Sequence, residues 1–194
     1  MRPPSWGNRP TSLLRGTNCL YAKSPYAPEC NPWPTREEWE VLLLLRGTIV
    51  AAYGNVETLL SEFSIKLSHY PEYYALRQKY PHRMKSKLTF IRAAFEIDPL
   101  DKYKQLANSF IEKFESTSDL RHMMAHARVE MAGRHTGIDF ASYQQSSSPA
   151  QIDLRRSRYS YSELELEARR SVRLSRIARL FYNRLTEVLP LPPM

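Results

Sequence analysis

Arg121, His122 and His126 stand close together in the run Asp119-Leu120-Arg121-His122-Met123-Met124-Ala125-His126. Arginine is permanently charged, and its planar fork of donors fits phosphate oxygens. Histidine is the side chain whose ordinary pKa lies nearest neutrality, so it gives or takes a proton at physiological pH. Together they suit a reaction that moves a proton while negative charge builds on phosphorus. Two other uses compete. At a helix C-terminus, arginine and histidine satisfy free carbonyls and the helix dipole. His122 and His126 are also four apart, on one helix face as in a zinc site, with His135 nearby. Met123, however, occupies the glutamate place of H-E-x-x-H, and no cysteine or clear carboxylate partner lies alongside. No metal and no other cofactor is therefore expected.

These residues need a helix to carry them, and the pattern around them supplies one. Residues 1–34 are broken by seven prolines and read as an extended N-terminal arm, whose Cys19 and Cys30 are the only cysteines. Reduced thiols are expected there, with no disulfide framework. Thr35-Arg36-Glu37-Glu38 is a capping box. Leu42, Leu45, Ile49, Ala52, Val56, Leu59, Phe63 and Leu67 then recur at spacings of three and four, the stripe of one long helix. Such a helix implies a long antiparallel partner, with Gly54 as a place of close approach or bending. Tyr70-Pro71 and Tyr80-Pro81 mark breaks, and Met84, Leu88, Ile91 and Phe95 make a shorter helix. Asp98-Pro99 reads as an N-cap with proline first in the helix, opening a stripe of Leu100, Tyr103, Ala107, Phe110 and Phe114. Residues 116–119 form a kink or fresh cap, and Leu120 to His126 resume the helix.

Beyond His126 the period changes to two. Residues 127–131, 138–143 and 152–161 read as strands, with Gly133 and Gly137 at turns and a Gln/Ser loop over 144–149. Ser162-Glu163-Leu164-Glu165 can start the last helix, running to about Val188 through Leu166, Val172, Leu174, Ile177, Leu180, Phe181 and Leu185. The fold expected is mainly α: a bundle of four to five helices over residues 35–190, with a small β insertion at about 127–161 before the last helix.

Composition limits the function classes. The net charge is +8, with +3 in residues 1–34, +1 in 35–150, +5 in 151–185 and −1 from Glu187. That excess favours a polyanionic partner. Arg155, Arg156, Arg158, Tyr159 and Tyr161 alternate on an expected strand, where arginines pair phosphates and tyrosines stack bases. A charged, solvated strand edge explains the same residues. Arg169, Arg170, Arg173 and Arg176 form a basic helix face or simply point to solvent. No run approaches the ~18 apolar residues of a membrane span, and no signal-peptide h-region is visible, so a cytoplasmic setting is expected. There is no Gly-rich phosphate loop and no G-x-S-x-G elbow. His69 and His82 flank proline breaks and read as surface residues.

Arg121, four intervening residues and His126, with polar His122 after the arginine, resemble the R-x4-6-H signature of HEPN ribonucleases. The resemblance extends architecturally over about residues 36–188. It implies a HEPN-like bundle and a metal-independent endoribonuclease in which the 2′-hydroxyl attacks its own phosphodiester. Arg121 would bind the scissile phosphate and stabilise its transition state, His126 would transfer protons, and His122 would orient or share that transfer. The resemblance further implies RNA as substrate and a two-fold homodimer with a composite active site. It also implies a toxin–antitoxin or antiviral setting with a nucleotidyltransferase-like antitoxin as possible partner. The apolar setting of the motif (Leu120, Met123, Met124, Ala125) would suit burial against a second copy. With a histidine moving the proton, activity is expected to change most steeply within about a unit or two of pH 6.5. Some proteins of this fold are catalytically dead, which leaves a non-catalytic RNA-binding or scaffold module as the alternative.

Overall fold

The three-to-four spacing of apolar residues after Arg36 produces one uninterrupted helix, α1 (Arg36–Leu67). The computed structural model describes residues 36–76, 80–131, 137–145 and 152–189; the arm, Thr35 and its expected capping box, Cys19, Cys30, Gly133 and His135 lie outside them. Leu42, Ile49, Ala52, Val56, Leu59, Phe63 and Leu67 are buried, as their period requires, and Leu45 is half-buried. Tyr53 joins them at 2% exposure. Each fully buried aliphatic side chain on this face contributes about 1.5–3 kcal/mol relative to exposure. Gly54 is neither a close approach nor an interruption: a Cβ there would meet nothing within 4 Å.

Proline at the first helical position opens the single turn α2 (Pro71–Tyr74), and α3 (Met84–Ala94) follows. The chain then departs from expectation. Asp98 does not cap a helix; the Asp98–Pro99 bond is cis, and a 3-10 turn (Asp101–Tyr103) precedes α4 (Lys104–Glu115). Ala107, Phe110, Ile111 and Phe114 bury that helix against the core. Arg92 of α3 grips Glu115 of α4 through both guanidinium nitrogens, at 3.3 and 2.7 Å. After Glu115 the helix stops. Ser116 and Thr117 turn their hydroxyls back to the carbonyl of Lys113, and Thr117 also to that of Phe114. These side-chain bonds offer the backbone an alternative to continuing the helix, so α5 (Ser118–His126) is a separate element.

Three strands follow: β1 (Arg128–Met131), β2 (Ile138–Gln145) and β3 (Ile152–Tyr159). They form an antiparallel meander in the order β1-β2-β3, with Val129 opposite Phe140 and Phe140 opposite Ser157. β2 thus extends through Gln144 and Gln145, which the sequence pattern gives to the loop. Gly137 enters β2 at φ +95°, where a Cβ would lie 2.8 Å from the Tyr159 carbonyl oxygen. Only glycine fits both that angle and that space.

The last helix, α6 (Tyr161–Val188), has its N-cap two residues earlier than Ser162-Glu163 suggests. Ser160 is the N-cap, and with Glu163 it completes a reciprocal capping box. The Ser160 bonds hold the Glu163 carboxyl below its ordinary pKa. α6 is the long partner of α1, but it runs parallel to it, not antiparallel. The Tyr161 hydroxyl donates to the Glu38 carbonyl at 3.0 Å, while Tyr182 meets Phe63 at 6.5 Å and lies under Lys66. The chain returns along α1 through α5, which ends beside Arg46, and the sheet links that end to the start of α6 beside Glu38; that return permits the parallel run. The inward face of α6 also differs from the large apolar residues of the sequence pattern. Leu164, Ala168, Ser171, Leu174, Ala178 and Leu185 are buried, whereas Leu166, Ile177 and Leu180 are exposed. Small side chains bring the two helix backbones together. At the far end of the bundle, Phe181 stacks on Phe95 at 6.0 Å and contacts Phe110, joining α3, α4 and α6.

Candidate functional site

α5 lies against α1 with its chain direction reversed: Arg121 reaches Glu57, and the C-terminal end reaches Arg46. Met123 and Met124 anchor it in the core, and Leu120 packs partly against the same core. The apolar residues of the motif are therefore spent within the chain and do not form an open face for a second copy. On the outer side, Asp119, His122 and His126 are all exposed. Their spacing of three and four puts them in one stripe. The two imidazoles lie side by side, with ring centroids 4.8 Å apart.

The free carbonyls at the end of α5 have a partner outside the motif. Arg46 of α1 donates Nε–H to the Met124 carbonyl and Nη2–H to those of Ala125 (3.4 Å) and Ala127 (3.0 Å). A guanidinium here opposes the negative end of the helix dipole and satisfies acceptors that would otherwise be orphaned. Arg121, His122 and His126 are not what caps the helix. Arg46 was missed by motif reading, although a lone charge closing the leucine run Leu42 to Leu45 is a visible signal.

Arg121 is drawn to the α1 side. Its Nη2 lies 2.8 Å from Glu57 Oε2, and both side chains are part-exposed. The pair stands on the rim of an open cleft of about 390 Å³ lined by Tyr53, Met84, Leu88, Phe114 and Ser118. Residues five apart on a helix are about 140° apart around its axis. Within one chain, then, Arg121 faces this cleft while His126 faces outward. Among the described residues no group of three or more His, Cys, Asp or Glu gathers at metal-ligand spacing, and His135 lies outside them.

The basic strand divides. Successive side chains on a strand point to opposite faces. Ile138, Phe140 and Ser142 are buried on the inner face of β2, and the register places Tyr159, Ser157 and Arg155 beside them. Tyr159 is half-buried, with its ring edge-on to Phe140 at 5.9 Å, and burial raises its hydroxyl pKa. It is a packing residue, not a free platform for a base. Arg155 reaches from this face to Asp119 on α5, at 3.1 Å, so it stands beside the histidine stripe. Arg156 and Arg158 are exposed on the opposite face. Arg158 grips Asp139 with Nε and Nη2 at 2.7 and 2.9 Å and holds that carboxyl below its ordinary value. The exposed aromatic on the Arg156–Arg158 face is Tyr143, 71% accessible, which only the strand register identifies.

His69 and His82 are exposed. No helix among the described residues is long and apolar enough to cross a membrane. No family model, curated protein or solved structure gives a significant match to this chain.

Proposed function

We propose that this chain is a HEPN-type, metal-independent endoribonuclease. One observation supports this above others: Arg46 caps α5, which leaves His122 and His126 exposed on a helix end where nothing structural requires them. In the reaction, a histidine takes the proton of an RNA 2′-hydroxyl as its oxygen attacks the adjacent phosphorus. The bond to the 5′-oxygen breaks, a second proton donor protonates that oxygen, and a 2′,3′-cyclic phosphate remains. Positioned proton transfer of this kind contributes about 10²–10⁴-fold. Arg121 binds the phosphate and stabilises its added charge, His126 carries protons, and His122 orients or shares that role. Arg155 is the arginine of β3 placed to contact RNA beside them, while Arg156, Arg158 and Tyr143 offer a more distant contact.

Arg121 and His126 face different sides of α5, which suits a site completed by a second copy. In a two-fold dimer one surface patch meets itself, and the arginine of one chain can serve the histidine of the other. Exposed Leu43, one turn before Arg46 on the same side of α1, supplies apolar surface for that contact. A toxin or antiviral role in the cytoplasm, restrained by a nucleotidyltransferase-like antitoxin, accompanies the family reading. The test is end-group analysis. Cleavage is expected to leave a 2′,3′-cyclic phosphate and a 5′-hydroxyl, and to fail when the scissile nucleotide is 2′-deoxy. Products ending in 3′-hydroxyl and 5′-phosphate would refute the mechanism.

A non-catalytic RNA-binding or scaffold module is the second reading, favoured by the Arg121–Glu57 pair. There the arginine holds α5 to α1 and is never released to a phosphate.

A further inference from the structure

We infer that the groove between the first half of α1 and α6 is a binding track for single-stranded RNA, remote from the scissile bond. This deepens the ribonuclease reading and rests on it for the choice of RNA. The groove is open, about 490 Å³ in volume, with Leu45, Ala168 and Val172 along its floor and Thr48 on the α1 wall. Glu165, Arg169, Arg173 and Arg176 form its α6 wall, three cations against one carboxylate.

Charge decides what it accepts. Along α6, Arg169 is paired with Glu165, Arg170 with Glu167 and Arg184 with Glu187. Arg173, Arg176 and Arg179, exposed between them, have no carboxylate partner among the described residues. With 3.6 residues per turn, Arg169, Arg173, Arg176 and Arg179 fall on one side of the helix, spread along its axis in steps of about 4.5–6 Å. Three of these four guanidiniums, those of Arg173, Arg176 and Arg179, are thus without a carboxylate among the described residues, and such a row is a track for successive phosphates, each of which it can grip through two donors. The apolar floor offers surface to the faces of bases, as single-strand binders do. Packed helix axes lie about 8–10 Å apart, so the groove between them admits one strand and not a duplex.

Its location defines its role. Leu45 and Thr48 face the groove, whereas Arg46, between them in sequence, faces the end of α5. Groove and His126 therefore lie on opposite flanks of the same turns of α1. The groove holds long RNA and does not touch the reacting atoms.

The test uses the full chain and a long fluorescein-labelled single-stranded RNA with 2′-O-methyl riboses, whose attacking hydroxyls are blocked. Binding is read by anisotropy across a salt series, separately from cleavage. The triple variant R173A/R176A/R179A is expected to bind about tenfold or more weaker near 0.1 M salt. Its salt slope is expected to fall by about 2, given about 0.7 per lost phosphate contact. R173K/R176K/R179K should retain most of both. With cleavable substrates, the alanine variant should raise KM for long RNA and leave a dinucleotide unaffected. Unchanged RNA binding in the alanine variant would overturn the groove while sparing the ribonuclease reading. Absence of RNA binding by the unmodified chain would overturn both. Equal loss on the dinucleotide, or stronger retention of a polyglutamate peptide than of RNA by these arginines, would overturn the assignment.

Discussion

At the scale of single residues, the division of labour between two arginines decides how α5 is read. Arg46 satisfies the helix end, and Arg121 is balanced against Glu57. Arg46→Ala leaves the Met124 and Ala127 carbonyls without their charged donor and is expected to destabilise the fold by on the order of 2 kcal/mol. Urea unfolding checks the magnitude, and Arg46→Lys should recover part of it. Glu57→Gln acts in the other direction. Arg121 must leave Glu57 before it can hold a phosphate, and a part-exposed pair of this kind is worth at most about 1 kcal/mol. The substitution is therefore expected to tighten RNA binding by up to about fivefold. An unchanged or weakened affinity, with the fold intact, would place Arg121 in the structural role of the second reading.

At the scale of elements, glycines and ion pairs make opposite and measurable demands. Gly54 sits inside α1 with open space around it, so Gly54→Ala is expected to stabilise the protein by about 0.5–1 kcal/mol through helix propensity. Gly137→Ala is expected to destabilise it, because the side chain would meet the Tyr159 carbonyl at a positive φ. Thermal melts of the two variants should shift in opposite directions. Arg158 and Asp139 tie β3 to β2, and the arginine depresses the carboxyl pKa. A depressed folded value means stability fully present above the ordinary aspartate pKa of about 3.9 and lost as pH falls through the lower folded value. Arg158→Ala should remove that part of the acid dependence, which pH-resolved unfolding would show. The pattern of elements was largely legible in the sequence. The α1 stripe, the three strands and the extent of α6 follow from apolar period and turn residues. What the period does not encode is direction and register. The parallel run of α6 depends on the return made by α5 and the sheet, and the separation of Arg155 from Arg156 and Arg158 depends on which strand face meets the core. Asp98-Pro99 misleads for a related reason, since the same dipeptide serves a helix start and a turn.

At the scale of the whole molecule, the candidate site was legible as a cluster but not as an arrangement. Arg121, His122 and His126 do lie on one helix, and their spacing already turns Arg121 about 140° away from His126, yet the Arg46 cap and the Glu57 partner come from α1, more than sixty residues away in sequence. If the site is completed by a second copy, Arg121→Ala and His126→Ala chains should complement when mixed, because each heterodimer keeps one Arg121 and one His126. Verified heterodimers with no activity would mean that both clusters must be complete or that the composite site is wrong, and a fully active monomer would exclude the composite site outright. The most direct measurement of the central claim is cleavage of single-stranded RNA in excess EDTA by the unmodified chain and by its Arg121→Ala and His126→Ala variants. The ribonuclease reading predicts cleavage by the unmodified chain and a loss of at least about 10²-fold in each variant. Full activity in either variant, or activity that appears only when a divalent metal is supplied, would contradict it.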